Sequence, residues 1–279
     1  MVLLIAVIAC SGIETDEQQE PTDEFEPEIV ISPHERSDFF IAVHCEPGPS
    51  PISTKYVETN WPALTRLVQS ATDHHMHLTL LLNPQWAMYI LEDPTRKELI
   101  WDWEAYGHEI GLHHHGPHMQ NWNGYTNQKS YFESGKYVGR VDEMMVLINM
   151  VPQSRQIKTA CVNDQDSQYD FPPGVPYETR GGADKLEDLW SIPATVSRNG
   201  QDVLQVTHAR YAARGSSVNI DLQEMSRILA GDEPTEITGV VFHAFEYADN
   251  PVPFDSLFSL LDENQIYTRS VSAILDKSL

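Results

Sequence analysis

The chain alternates continuous apolar runs with stretches whose apolar positions recur every three or four residues. Phe39-Phe40-Ile41-Ala42-Val43-His44 is an apolar run closed by Glu46-Pro47-Gly48, which predicts a strand entering a loop. Trp61 to Ser70 sets Leu64, Leu67 and Val68 on one helical face and leads into a second run, Leu78 to Leu82, stopped by Asn83-Pro84. The order recurs with a helix from Leu99 to Tyr106, a strand from Glu109 to His113, a helix from Val138 to Met150 and a strand from Ile157 to Val162. Later come a strand at Val203 to Thr207, a helix at Leu222 to Leu229, a strand at Gly239 to Phe242, a helix at Phe254 to Leu261 and a terminal strand near Thr268. Strand-then-helix alternation predicts an α/β fold, a parallel sheet with helices outside it, open or closed into a barrel. In either form the reactive side chains belong at the carboxyl ends of the strands. The segment from Asp164 to Asn199 fits the alternation least and reads as a long loop insertion.

The amino terminus departs from this pattern. Met1 to Ala9 is almost wholly apolar but too short to span a bilayer, which takes about 20 residues. No basic residue precedes it, yet Ala9-Cys10 resembles the lipobox of bacterial lipoproteins, which implies a signal segment at 1–9, lipidation of Cys10 and residence at the bacterial cell envelope. Thr15 to Glu28 is acidic, Pro-bearing and without periodicity, so residues 10–35 read as a solvated tether and 36–279 as the folded domain.

Charge narrows the partners. The 279 residues carry 18 Lys and Arg against 41 Asp and Glu, a net charge of −23, and a surface that acidic repels nucleic-acid phosphates and anionic lipid headgroups. A neutral or cationic partner fits, with membrane contact only through a lipidated Cys10. Cys45 and Cys161 are too few for a disulfide framework; lying at strand ends, they read as a pair or as two buried thiols.

Chemistry concentrates after the third strand. Gly107-His108-Glu109-Ile110-Gly111-Leu112-His113-His114-His115-Gly116-Pro117-His118 sets four imidazoles within six residues at a strand end. Such a density suits a divalent metal, which activates both a carbonyl and a water for hydrolysis near pH 7. On an extended chain His113 and His115 face one way and His114 the other, so all three cannot serve one ion. Gly116-Pro117 forces a turn that can return His118 toward the strand end.

This stretch resembles the metal-binding motif of the polysaccharide deacetylase superfamily, metal-dependent carbohydrate esterases built on a distorted, incomplete (β/α)7-type barrel. The resemblance extends from about Phe39 to Ile274. It implies two histidines, normally four apart, holding a zinc-like ion. His113 matches the first and His118 the second with one residue inserted; His114 with His118 keeps the spacing in a shifted register, and His115 is a further alternative. The family's acidic pair at the end of the first strand falls on His44-Cys45-Glu46, implying Glu46 as a metal ligand and His44 where the catalytic base sits. Gly239-Val240-Val241-Phe242-His243 resembles the last motif, implying His243 as general acid. The family's third motif, an Arg and Pro-rich stretch, has no counterpart: Ile157 to Asp164 contains no Arg, leaving Asp164, Asp166 or Arg180 to compensate.

The resemblance implies a metal-dependent hydrolase, with Zn2+ as cofactor, that removes acyl groups, N-acetyl above all, from a glycan. Two alternatives stand beside it: a hydrolase of another amide or ester, and a non-catalytic metal- or glycan-binding envelope lipoprotein. Trp86, just past the second strand, is equally suited to stack on a sugar or to pack in the core.

Overall fold

A computed structural model describes residues 38–181, 190–212, 220–229 and 237–277. The signal segment, the tether and Cys10 lie outside the described residues. Among the described residues nine strands form one sheet: β1 (Phe39–Cys45), β2 (Leu78–Leu82), β3 (Glu109–His114), β4 (Thr159–Val162), β5 (Tyr177–Gly181), β6 (Trp190–Ser191), β7 (Ala194–Arg198), β8 (Gln201–Arg210) and β9 (Ile237–His243). Seven of them, in the order β1-β2-β3-β4-β5-β8-β9, are parallel and close back onto β1 as a barrel. Pairing is shortest between β4 and β5 and between β8 and β9, each with two residue pairs in register, Ala209 with Val240 and Arg210 with Val241 in the latter. β6 and β7 add antiparallel pieces to β9 and β8, and β7 turns into β8 through Asn199-Gly200, both at positive φ, as a two-residue hairpin needs.

The helices are α1 (Lys55–Asp73), α2 (Pro84–Leu91), α3 (Pro94–Tyr106), α4 (Val141–Ile148), α5 (Ser167–Asp170), α6 (Leu222–Leu229), α7 (Ala244–Asp249), α8 (Val252–Glu263) and α9 (Val271–Leu275). Among the described residues no helix is long and apolar enough to cross a membrane.

The continuous apolar runs follow from burial on both faces. Along β1, Phe39, Ile41, Val43 and Cys45 pack outward under the helices, whereas Phe40 and Ala42 fill the barrel with Leu81, Val206 and Val241. Gly239 leaves room for the Phe40 ring, which a Cβ there would meet at 2.0 Å. Val271, Ile274 and Leu275 of α9 join this inner core and plug the barrel. Glu109 anchors the plug: its carboxylate accepts from the hydroxyls of Thr79 (3.2 Å) and Thr159 (2.6 Å) and from the Ser272 amide (3.0 Å). Burial raises this carboxyl above its ordinary value despite those bonds. The neighbouring His108 accepts from the Leu78 amide at 3.0 Å and meets Thr72 Oγ1 at 3.1 Å. Both residues of the glycine-flanked motif are thus structural and sit at the end away from the strand tips.

Two sequence expectations change. The terminal strand near Thr268 is absent; Thr268 is buried and its hydroxyl bridges the His77 amide (2.8 Å) and carbonyl (2.7 Å) before α9 begins. The expected loop from Asp164 to Asn199 contributes a barrel strand, β5. Its polar sequence is offset by distant partners: buried Glu178 accepts from Arg198 Nε at 2.9 Å and Gln205 Nε2 at 2.6 Å.

Candidate metal centre

β1 carries His44 and Glu46, two apart and therefore on the same side, to the carboxyl end of the barrel. The loop after β1 is fixed by the first turn of α2, where Asn83 caps the helix by accepting from the Gln85 amide at 2.9 Å. Asn83 Nδ2 donates to the Cys45 carbonyl at 2.6 Å, Trp86 Nε1 to the Glu46 carbonyl at 3.0 Å, and the Gly48 amide to Gln85 Oε1 at 2.6 Å. Trp86 is fully buried, so it holds the Glu46 backbone and has no face for a sugar.

Three imidazoles converge on the Glu46 carboxylate. His113 Nε2 lies 3.0 Å from Oε1, His115 Nε2 3.2 Å from Oε2 and His243 Nε2 3.4 Å from Oε1. Burial alone would raise the Glu46 carboxyl, but His113, its hydrogen bond, His115 and His243 outweigh burial and bring it to about 2. His115 is lowered to about 4 by burial first and by His113 second, which leaves its lone pair free for a cation near neutral pH. The ligand atoms of Glu46, His113 and His115 all lie within 4.8 Å of one another, as do those of His44, Glu46 and His243.

His243 Nδ1 sits 2.9 Å from Glu246 Oε2. A carboxylate only accepts, so this contact places a proton on Nδ1 and turns the Nε2 lone pair toward the cavity. Glu246 escaped the sequence reading, although its position three residues after His243, at a strand-to-helix turn, was the available sign.

His44 stacks on His113 with ring centroids 4.0 Å apart, and its buried Nε2 has no hydrogen-bond partner among the described residues. Burial, then His113, His243, His208 and His115, hold it well below the ordinary histidine value. His208 of β8 also reaches the mouth; it is buried, lowered to about 3 by burial and by Arg210, and its Nδ1 has no partner among the described residues.

Other members of the histidine run are placed elsewhere. His114 points outward, with Nδ1 3.0 Å from Asn123 Nδ2 and Nε2 3.9 Å from Asp170. His118 lines the same cavity as Glu46, but its nearest carboxylate is Asp166. Its Nδ1 lies 2.5 Å from Asp166 Oδ1, and fully buried Asp166 also accepts from Asn163 Nδ2 and Gln128 Nε2. The turn docks there because Gly116 has no side chain: a Cβ would lie 2.2 Å from Asp166 Cγ. Arg180 pairs with Asp164 at 2.6 Å on the rim. The whole opens into a cavity of about 770 Å³ whose lining includes His44, Glu46, His113, His115, His208 and His243.

No family model matches the chain, and no curated protein matches its sequence. Among solved structures, a 4-alpha-glucanotransferase from Thermococcus litoralis superposes on 87% of the chain with a TM-score of 0.56 at 14% identity, and the chain spans 40% of that protein's length. The likeness is one of fold. Fold and site together define an α/β protein, a closed barrel of seven parallel strands whose mouth carries His, Glu and Cys groups able to bind a metal.

Proposed function

We propose that the protein is a metal-dependent hydrolase that removes acyl groups, N-acetyl first among them, from a carbohydrate. The observation that carries this reading is the convergence of three imidazole nitrogens on one half-buried carboxylate at the strand tips. Glu46, His113 and His115 would hold a divalent ion, and their donor set of one carboxylate and two imidazoles suits Zn2+. Such an ion supplies polarisation of the acyl oxygen and a more acidic water.

The chain's own residues do the rest. His243, held by Glu246 with its lone pair inward, accepts a proton at Nε2 and returns it from the same atom to the leaving nitrogen or oxygen. His44 occupies the position where the resemblance puts the base, but no acceptor orients its Nε2, whereas Glu246 orients His243. The wide mouth admits a sugar ring, and the deacetylase resemblance and the glucan transfer for which the fold neighbour is named both favour a carbohydrate.

The test is a panel of acetylated glycans and small acyl esters with added zinc, cobalt or manganese, against wild type and Glu46→Ala. Release of acetate by wild type and its loss in the variant is the expected result; metal binding without turnover on any substrate would favour the non-catalytic envelope protein. The envelope placement is part of the same proposal: the mature protein should partition with membranes, and Cys10→Ser should release it.

A further inference from the structure

We propose that the mouth holds a second, thiophilic divalent cation, ligated by Cys161 and His44 with His208 as third donor, beside the Glu46 position.

Strand register brings the thiol there. Cys161 of β4 pairs in register with His113 of β3, and His44 of β1 with His243 of β9, so all four belong to the last layer of the barrel before the opening. The ligand atoms of His44, His113 and Cys161 lie within 4.8 Å of one another, and the His208 ring centroid is 5.6 Å from that of His44. Cys161, His44 and His208 all line the cavity. Cys45, the neighbour of His44 on the same strand, packs instead between sheet and helices and serves as an internal comparison.

Several buried imidazole nitrogens around this cavity are unmet, His113 Nδ1 and His115 Nδ1 among them, and two belong to the proposed ligands. His44 Nε2 and His208 Nδ1 belong to residues only 7% and 2% exposed, and neither finds a hydrogen-bond partner among the described residues. A buried polar atom left unpaired is destabilising, and two on residues that share the cavity with a thiol are better accommodated when something fills the gap. A thiol with imidazoles and no carboxylate selects a soft or borderline ion such as Zn2+ or Co2+ over Mg2+ or Ca2+. Binding releases the Cys161 proton to solvent and leaves the thiolate on the ion; no bond of the protein is oxidised or reduced.

This deepens the hydrolase reading only by sharing its cavity, and the two can fail separately. The full chain is loaded with Co2+, desalted, and examined for cobalt content and for a sulfur-to-cobalt charge-transfer band in the near ultraviolet. The expected result is two ions per chain and the band. Cys161→Ser and His44→Ala should each halve the cobalt and abolish the band, Cys45→Ser should leave both unchanged, and Glu46→Ala should halve the cobalt while keeping the band. One ion without a band overturns the second position and leaves the Glu46 position standing. A band that survives Cys161→Ser, or a single ion whose band disappears in Glu46→Ala, also overturns it. One ion with a band indifferent to Glu46→Ala supports the thiolate position and removes the hydrolase reading instead.

Discussion

Glu246 holds His243 twice through one oxygen: Oε2 lies 2.9 Å from the imidazole Nδ1 and accepts the His243 backbone amide at 2.9 Å. The carboxylate therefore sets both the tautomer and the orientation of the ring that faces Glu46. Replacing it with an amide keeps the size but removes the charge that steadies a protonated imidazole. Glu246→Gln is expected to lower kcat by about 100-fold with little change in KM and with metal content intact, whereas His243→Ala should lower it by roughly 100- to 10,000-fold. Loss of bound metal in Glu246→Gln would show that the pair supports the ligand set instead.

The ligand assignment makes a sharper distinction within the histidine run. His115 and His113 face the Glu46 carboxylate, while His118 is engaged with Asp166. Glu46→Ala, His113→Ala and His115→Ala should each reduce zinc retained after dialysis. His118→Ala and His114→Ala should retain it. If His118→Ala loses zinc as completely as His115→Ala, the resemblance-based spacing is right and the Asp166 contact is what opens on loading.

That contrast shows what the sequence could carry. The strands β1, β2, β4 and β9 are visible as apolar runs because their side chains are buried on both sides, and period-two alternation places His44 with Glu46 and His113 with His115 without any knowledge of the fold. β5 was hidden because Tyr177-Glu178-Thr179-Arg180 reads as polar, and the groups that make Glu178 tolerable in the interior lie 20 and 27 residues further on. The turn at Gly116-Pro117 was legible, but its direction was not. It is set by Asp166, 48 residues away from His118, which it captures, and by Asn163, whose Oδ1 accepts from the Gly116 amide at 2.9 Å. Glu246 and the thiol of Cys161 acquire meaning only when β9 and β4 are laid beside β1 and β3.

Gly116 gives a direct test of that docking. A methyl group at this position would meet buried Asp166, which cannot retreat without giving up Asn163, Gln128 and His118. Gly116→Ala is expected to destabilise the protein by about 1–3 kcal/mol, read as a lower Tm, and to loosen the rim carrying His118. An unchanged Tm would mean that the loop has room to move.

His108, at the opposite end of the barrel, predicts a pH dependence independent of any metal. Its Nδ1 must stay unprotonated to accept from the Leu78 amide, and burial, with His77 second, lowers it to about 3. An unfolded chain takes up this proton below about 6.5, while the folded chain refuses it until about 3. The contribution is therefore fully present above about pH 6.5 and is lost as the pH falls toward 3, at up to about 1.4 kcal/mol per pH unit. Denaturant titrations of the metal-free protein should show unfolding free energy declining between about pH 6.5 and about pH 5, and His108→Asn, which keeps an acceptor for Leu78 but cannot titrate, should remove about one proton's share of that slope. A slope identical in the two proteins would mean that His108 binds its proton equally in the folded and unfolded chains, and the bond to Leu78 would then contribute nothing to acid sensitivity.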